Sequence, residues 1–279
     1  MSKVSAAASA SEARVDAAIL PSRLIDIKTI QSQVFRTLVE ALKEIITDGN
    51  LEIDNTGIRL IAMDKSHTVL IHLRLHADKF ESFYCSKPLI LGLNMINFFK
   101  LIKTVANDDT LTLYVDRADE NKLGIIIENA RKNSVTTYKL KLIEINEATI
   151  HIPRVEFPSV ITMPSATFQK VCREMSNISD KIEITSQGDR LILGCDGEFA
   201  DQETVMKETT DGMHFMKQEN PKDIIQGVFN LNHLILFTKC SGLCNTIEIY
   251  LKNEYPLIIL YRVASLGEIK LCLAPELSA

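Results

Sequence analysis

The chain has 279 residues, 46% hydrophobic and 24% charged, with 31 Lys and Arg against 36 Asp and Glu for a formal net charge of −5. That is an ordinary globular composition, enough for one large domain or two modest ones, and no apolar run approaches the roughly 18 residues a membrane span requires. A uniformly basic nucleic-acid binder is excluded, and six cysteines with no C-x-x-C pair and no zinc spacing read as free, mostly buried thiols in a reducing compartment.

Taken in chain order, residues 1–21 read as a disordered tail. Their Ala- and Ser-rich run has no apolar core for a secretory signal, and Glu12 and Asp16 count against a transit peptide. Ser32-x-x-Phe35-x-x-Leu38 opens a first amphipathic helix with Ser32 as its N-cap and a stripe of Phe35, Leu38, Val39, Leu42, Ile45 and Ile46. Asn55-Thr56-Gly57 is a hairpin turn leading into a strand over Ile58–Met63. Leu93-Asn94 opens a second helix with Phe98, Phe99, Leu101, Ile102 and Val105, and a turn at Asn107–Asp109 leads into the strand Leu111–Val115.

Leu142–Phe157, followed by Pro158 and containing Pro153, reads as an extended connector. Beyond it the order repeats. Ser165-x-x-Phe168-x-x-Val171 opens a third helix striped by Phe168, Val171, Cys172 and Met175, with Ser165 as cap. Gln187-Gly188-Asp189 turns into the strand Arg190–Cys195, Leu231-Asn232 opens a fourth helix, and a Gly242-bearing turn leads into Ile247–Leu251. The expected fold is α+β, with two similar domains at 22–141 and 158–279 joined by a connector at 142–157. Each domain would pack two helices on a mostly antiparallel sheet.

The helix faces opposite the apolar stripes carry bases. Arg36 and Lys43 share one side of the first helix, Lys100 and Lys103 lie on the second, Lys170 and Arg173 on the third, and Lys239 on the fourth. Such runs ordinarily mark solvated faces. A basic helical layer on an otherwise acidic chain can also hold a polyanion by its phosphates, without sequence preference. No P-loop, dinucleotide fingerprint, HExxH or nucleophile elbow occurs, the six His are scattered, and Asp108-Asp109 reads as a turn. No catalytic residue, cofactor or metal site is expected.

Several segments resemble the proliferating cell nuclear antigen (PCNA) type of DNA sliding clamp. They are Phe35–Ile46 with its Glu40-Ala41-Leu42-Lys43, Gly57–Leu60 followed by Met63–His67, Tyr138–Leu142, Met163–Ser165 with Phe168 and Cys172–Glu174, and Leu273–Pro275. They occur in family order from about Arg23 to Pro275. The departures from the family pattern, with the Ala- and Ser-rich tail, suggest a divergent member, a viral one being an option.

The resemblance implies a non-enzymatic homotrimeric ring that encircles double-stranded DNA, is placed by a clamp loader, and tethers DNA polymerase and other replication and repair proteins. It would work inside the cell, in the nucleus or another replication compartment. Asn133–Leu140 and a stretch near Ala200–Lys207 would pair between subunits. Arg36, Lys43, Lys100, Lys103, Lys170, Arg173 and Lys239 would face DNA, with Thr37, Asn177 and Asn232 where a base or His is expected. Partner proteins would dock a short PCNA-interacting peptide in a pocket made by Met63, His67, Leu70, Ile150, Ile152, Pro153, Pro256, Ala274 and Pro275. Cys272 stands there in place of a family Tyr. The alternatives are a monomeric or dimeric polymerase processivity factor, or one subunit of a heteromeric checkpoint clamp.

Overall fold

The structure, a computed structural model, describes residues 22–146, 150–220 and 222–276. The tail expected over 1–21 and residues 147–149 of the expected connector lie outside the described residues. The fold is α+β, with antiparallel sheets and four α-helices among the described residues. The chain groups into two compact units, neither continuous in sequence. One holds the described residues up to Arg36, then Asp48–Arg59 and Leu75–Asn146; the other holds Thr37–Thr47, Leu60–Arg74 and the described residues from 150 onward.

In the first unit, β1 (Arg23–Thr29), β5 (Ser82–Cys85), β7 (Asp109–Asp116), β8 (Asp119–Asn129) and β9 (Ser134–Lys141) form a five-stranded sheet in the order β5-β1-β7-β8-β9, so β9 is an edge. β2 (Asp48–Asp54) pairs with β6 (Leu89–Asn94) on one side and with the start of β3 (Gly57–Met63) on the other. The β2–β3 turn closes as the sequence predicts. Asp54 accepts from Thr56 N at 2.7 Å, and Gly57, at φ 144°, has no room for a Cβ, which would lie 1.9 Å from the Leu75 carbonyl oxygen.

In the second unit, β11 (Lys181–Gln187), β12 (Arg190–Asp196), β13 (Asp201–Lys207) and β15 (Ile224–Asn230) form a sheet in the order β13-β12-β11-β15, again with an edge at β13. A second group runs β14 (His214–Gln218), β10 (Ser159–Pro164), β16 (Thr246–Leu251), β17 (Leu257–Val263), β18 (Gly267–Leu273) and then β4 (Val69–His76). Alternation explains the burial: in β11, Ile182, Ile184 and Ser186 point inward while Lys181, Glu183 and Gln187 are exposed.

Helix α1 (Ser32–Ile45) buries Phe35, Leu38, Val39, Ala41 and Leu42, with Ile46 just past its end. α2 (Met95–Ile102) buries Met95, Phe98 and Ile102; α3 (Ser165–Met175) buries Phe168, Val171, Cys172 and Met175; α4 (Leu231–Phe237) buries Leu231, Leu234 and Phe237. Phe35 meets Phe98 edge-on at 6.2 Å between centroids.

The expected N-caps need correction. Ser32 and Ser165 do not cap their helices: their hydroxyls are donors, to the carbonyls of Ala106 and Asp109 and to that of Cys244. Residue 164 is the N-cap of α3, and it is a proline that offers no side-chain bond. Side-chain caps are present on α2 and α4, through Asn94 accepting from Asn97 N and Asn230 accepting from His233 N. The fourth helix starts at Leu231, where the sequence places its opening, with Asn230 as its cap, and Asn232 donates to Asp180 at 3.3 Å.

Candidate functional site

The seven bases expected on the helices fall on both units. In the first, Lys100 is exposed on α2 and Lys103 is exposed at its C-cap. Arg36 is half-buried, and one guanidinium nitrogen donates to the carbonyls of Lys103 at 3.1 Å and Val105 at 3.3 Å. Its nearest partners are thus the carbonyls that end α2, where the helix dipole is negative.

In the second unit, Lys170 and Arg173 are exposed on α3. Lys239 is exposed as well, but it stands on the 3-10 turn Thr238–Gly242 rather than on α4 as expected, because the helix ends at Phe237. Gln169 Nε2 donates to the Thr238 carbonyl at 3.1 Å, which brings the α3 bases beside the turn that carries Lys239. Lys43, half-buried, is paired with Glu44. Asn177 is exposed and donates to the Arg173 carbonyl at 3.1 Å, so it helps end α3.

Carboxylates are distributed unevenly among these bases. Lys170 has Glu174 at 3.8 Å, one turn along. Among the described residues no carboxylate lies within ion-pair reach of Lys100, Lys103, Arg173 or Lys239. Strand bases are different: Arg59, Lys139, Lys207 and Arg262 each sit within 4 Å of an acid. Lys100, Lys103, Arg173 and Lys239 are thus open to an external anion, as are the exposed strand bases Arg74 and Lys141.

The second candidate site is a groove within the second unit, with a volume of about 560 Å³. Met63, His67, Leu70, Ile150, Ile152, Pro153, Pro256 and Ala274 all line it; Pro275 does not. Three local structures hold it open. The loop after β3 is folded around Asp64, whose carboxylate accepts from the amides of Ser66, Thr68 and Val69 at 3.2, 2.9 and 2.8 Å. The segment after β18 is pinned by Ala274 N donating to Thr68 O at 3.0 Å. Phe157 packs edge-on against Tyr250 and Tyr255 at 5.5 and 5.6 Å, fixing the end of the segment that carries Ile150–Pro153.

The groove has further lining that the sequence pattern did not point to, including His72, His151, Arg154, Phe157, Ile258 and Lys270. Strand period could have found three of them. His72 is two residues from Leu70 on β4, Lys270 is two from Cys272 on β18, and Ile258 is the register partner of Cys272. Cys272 does face the groove, and burial pushes its thiol up to about 11. It is a neutral thiol at pH 7, a small apolar wall rather than a nucleophile.

No helix among the described residues is long and apolar enough to cross a membrane. None of their His, Cys, Asp and Glu cluster in a way that could hold a metal ion.

The sequence matches the family model of the proliferating cell nuclear antigen N-terminal domain over residues 24–150 and that of the C-terminal domain over residues 151–276. It is also similar to the probable DNA polymerase sliding clamp 1 of Paramecium bursaria Chlorella virus 1, at 37% identity over 259 residues, covering 91% of this chain and 98% of that protein. With both domain models matched in succession and a relative aligned along nearly its whole length, this chain belongs to the proliferating cell nuclear antigen family of DNA sliding clamps.

Proposed function

We propose that the chain is one subunit of a homotrimeric clamp that closes head to tail around duplex DNA. It would tether a DNA polymerase, with other replication and repair proteins, through short peptides seated in the groove. Such a clamp performs no reaction of its own. It has to be opened and closed by a loader, and it works where DNA is replicated, in the nucleus or in a viral factory if the source is viral.

The observation that carries this reading is the placement of charge. Lys100, Lys103, Arg173 and Lys239 are exposed with no carboxylate in ion-pair reach among the described residues, while many strand bases, Arg59, Lys139, Lys207 and Arg262 among them, are paired with acids. A cationic layer of this kind binds phosphates and not base edges, so it holds DNA without fixing a sequence and permits sliding. That β9 and β13 each end a sheet supports head-to-tail pairing between copies.

The test reverses charge at Lys100, Lys103, Lys170 and Arg173, each to Glu. Processive synthesis on a long primed template should collapse near physiological salt, while the unfolding midpoint stays where it was. The salt dependence of DNA binding should flatten by about 0.9 in log–log slope for each phosphate that is no longer neutralised. Undiminished stimulation would remove the helical face as the DNA lining. Retention on circular but not linear DNA separates a closed ring from a processivity factor that holds DNA by charge alone.

A further inference from the structure

We propose that the groove selects an acidic partner, a short peptide that presents an apolar plug flanked by Asp or Glu. This rests on the reading of the groove as the partner-peptide site and adds the charge that the partner must carry. The chain as a whole has five more acids than bases, since 36 minus 31 is 5. The groove inverts that balance. Its apolar floor of Met63, Leu70, Ile258 and Cys272 is bordered by His67, His72, His151, Arg154 and Lys270, and no Asp or Glu is among the lining residues described.

Two of the carboxylates nearest the groove are engaged, while the exposed Glu156 and Glu254 adjoin lining residues in sequence without lining the groove themselves. Asp64 accepts from the amides of Ser66, Thr68 and Val69. Glu268 takes Arg262 at 2.8 Å and Lys270 at 3.3 Å, which partly neutralises Lys270. The unpaired positive charge at the groove lies with Arg154, which is exposed on the segment before β10 beside the exposed His151; neither has an ion pair among the described residues. A peptide carboxylate laid along that segment gains a charge-assisted hydrogen bond from the Arg154 guanidinium. A peptide with Lys or Arg in the same place meets like charge.

The full chain is titrated by fluorescence anisotropy with three synthetic peptides. All share one aliphatic and aromatic plug and differ only in flanks of Asp and Glu, of Ser and Gln, or of Lys and Arg. The acidic peptide should bind tightest and the basic one weakest, about tenfold apart at low salt, and the gap should close at about 0.5 M salt, where screening is nearly complete. Arg154→Glu combined with His151→Glu, both at exposed positions, should reverse the order. Leu70→Arg, which fills the floor, should abolish binding of all three.

Equal affinities abolished by Leu70→Arg would overturn the acidic preference and leave the groove as the peptide site. A preference for the basic peptide would do the same. Absence of binding by any peptide, or binding that survives Leu70→Arg, would overturn the groove reading along with the inference.

Discussion

His67 sits at φ 56°, a left-handed conformation that costs a residue with a Cβ roughly 1–2 kcal/mol. Asp64 is the group that holds the loop in this shape. Burial alone would raise the pKa of its carboxyl. The Ser66 hydroxyl and the amides of Val69, Ser66 and Thr68 outweigh burial and hold it below the usual carboxylate value. Stability from a depressed carboxyl is present above the unfolded pKa of about 3.9 and is lost as pH falls through the lower folded value. Asp64→Asn should therefore cost about 1–2 kcal/mol at pH 7, with the gap to the native chain closing below about pH 4. Urea unfolding at pH 7 and pH 3 measures it. An equal gap at both pH values would mean that the ionised carboxylate is not what ties the loop. Because His67 and Thr68 line the groove, the same variant should also weaken peptide binding.

Between elements, the recurring device is a side chain of one helix bonded to the carbonyls that follow another element. Ser32 reaches the carbonyls of Ala106 and Asp109, and Ser165 reaches that of Cys244, so the duplicated pattern in the sequence extends to its hydrogen bonds. Arg36 belongs with these ties. Its guanidinium closes the end of α2 through Lys103 O and Val105 O, and its Nε is buried. Arg36→Ala should cost about 1–2 kcal/mol by denaturant unfolding. Lys103→Ala, an exposed change beside the same carbonyls, should stay within about 0.5 kcal/mol. Equal costs would show that the Arg36 bonds contribute nothing net.

The same pair of residues marks how far the sequence could be read. Apolar periodicity placed the helical stripes, and Asn55-Thr56-Gly57 and Gln187-Gly188-Asp189 placed two hairpins, because those signals are local in the chain. The Ser hydroxyls were misread as caps, Lys239 was put on a helix one turn too long, and the bonds of Arg36, read as a DNA-facing base, to the end of the second helix were not foreseen. In each case the deciding partner, a carbonyl about 70 residues away or the end of a helix, leaves no local mark. The groove was legible only through the family resemblance, since its lining comes from β4, β17, β18 and a segment without regular structure.

For the whole molecule, the question is what β9 and β13 are for. Each is the outermost strand of its own sheet, each presents a row of backbone groups with no strand beside it among the described residues, and each exposes an apolar side chain, Val135 at 66% and Val205 at 45%. An uncovered edge of this kind invites association with other chains, and soluble proteins protect or pair such edges. Pairing β9 of one copy with β13 of the next is heterologous, so it must either close into a ring or grow into a filament. Closure at three copies, as proposed, would pair every β9 with a β13, and removing either strand's capacity to pair should open all three joints together. Val135→Lys and Val205→Lys each place a charge on an edge without touching the core. The native chain should sediment as a trimer, and either variant as a single chain with an unchanged unfolding midpoint. The variants should still bind DNA at low salt through the helical bases but should no longer be retained on circular DNA as salt is raised, because charge is screened and a topological link is not. A native chain that sediments as a monomer at micromolar concentration would break this argument at its first step, leaving both edges in need of another partner.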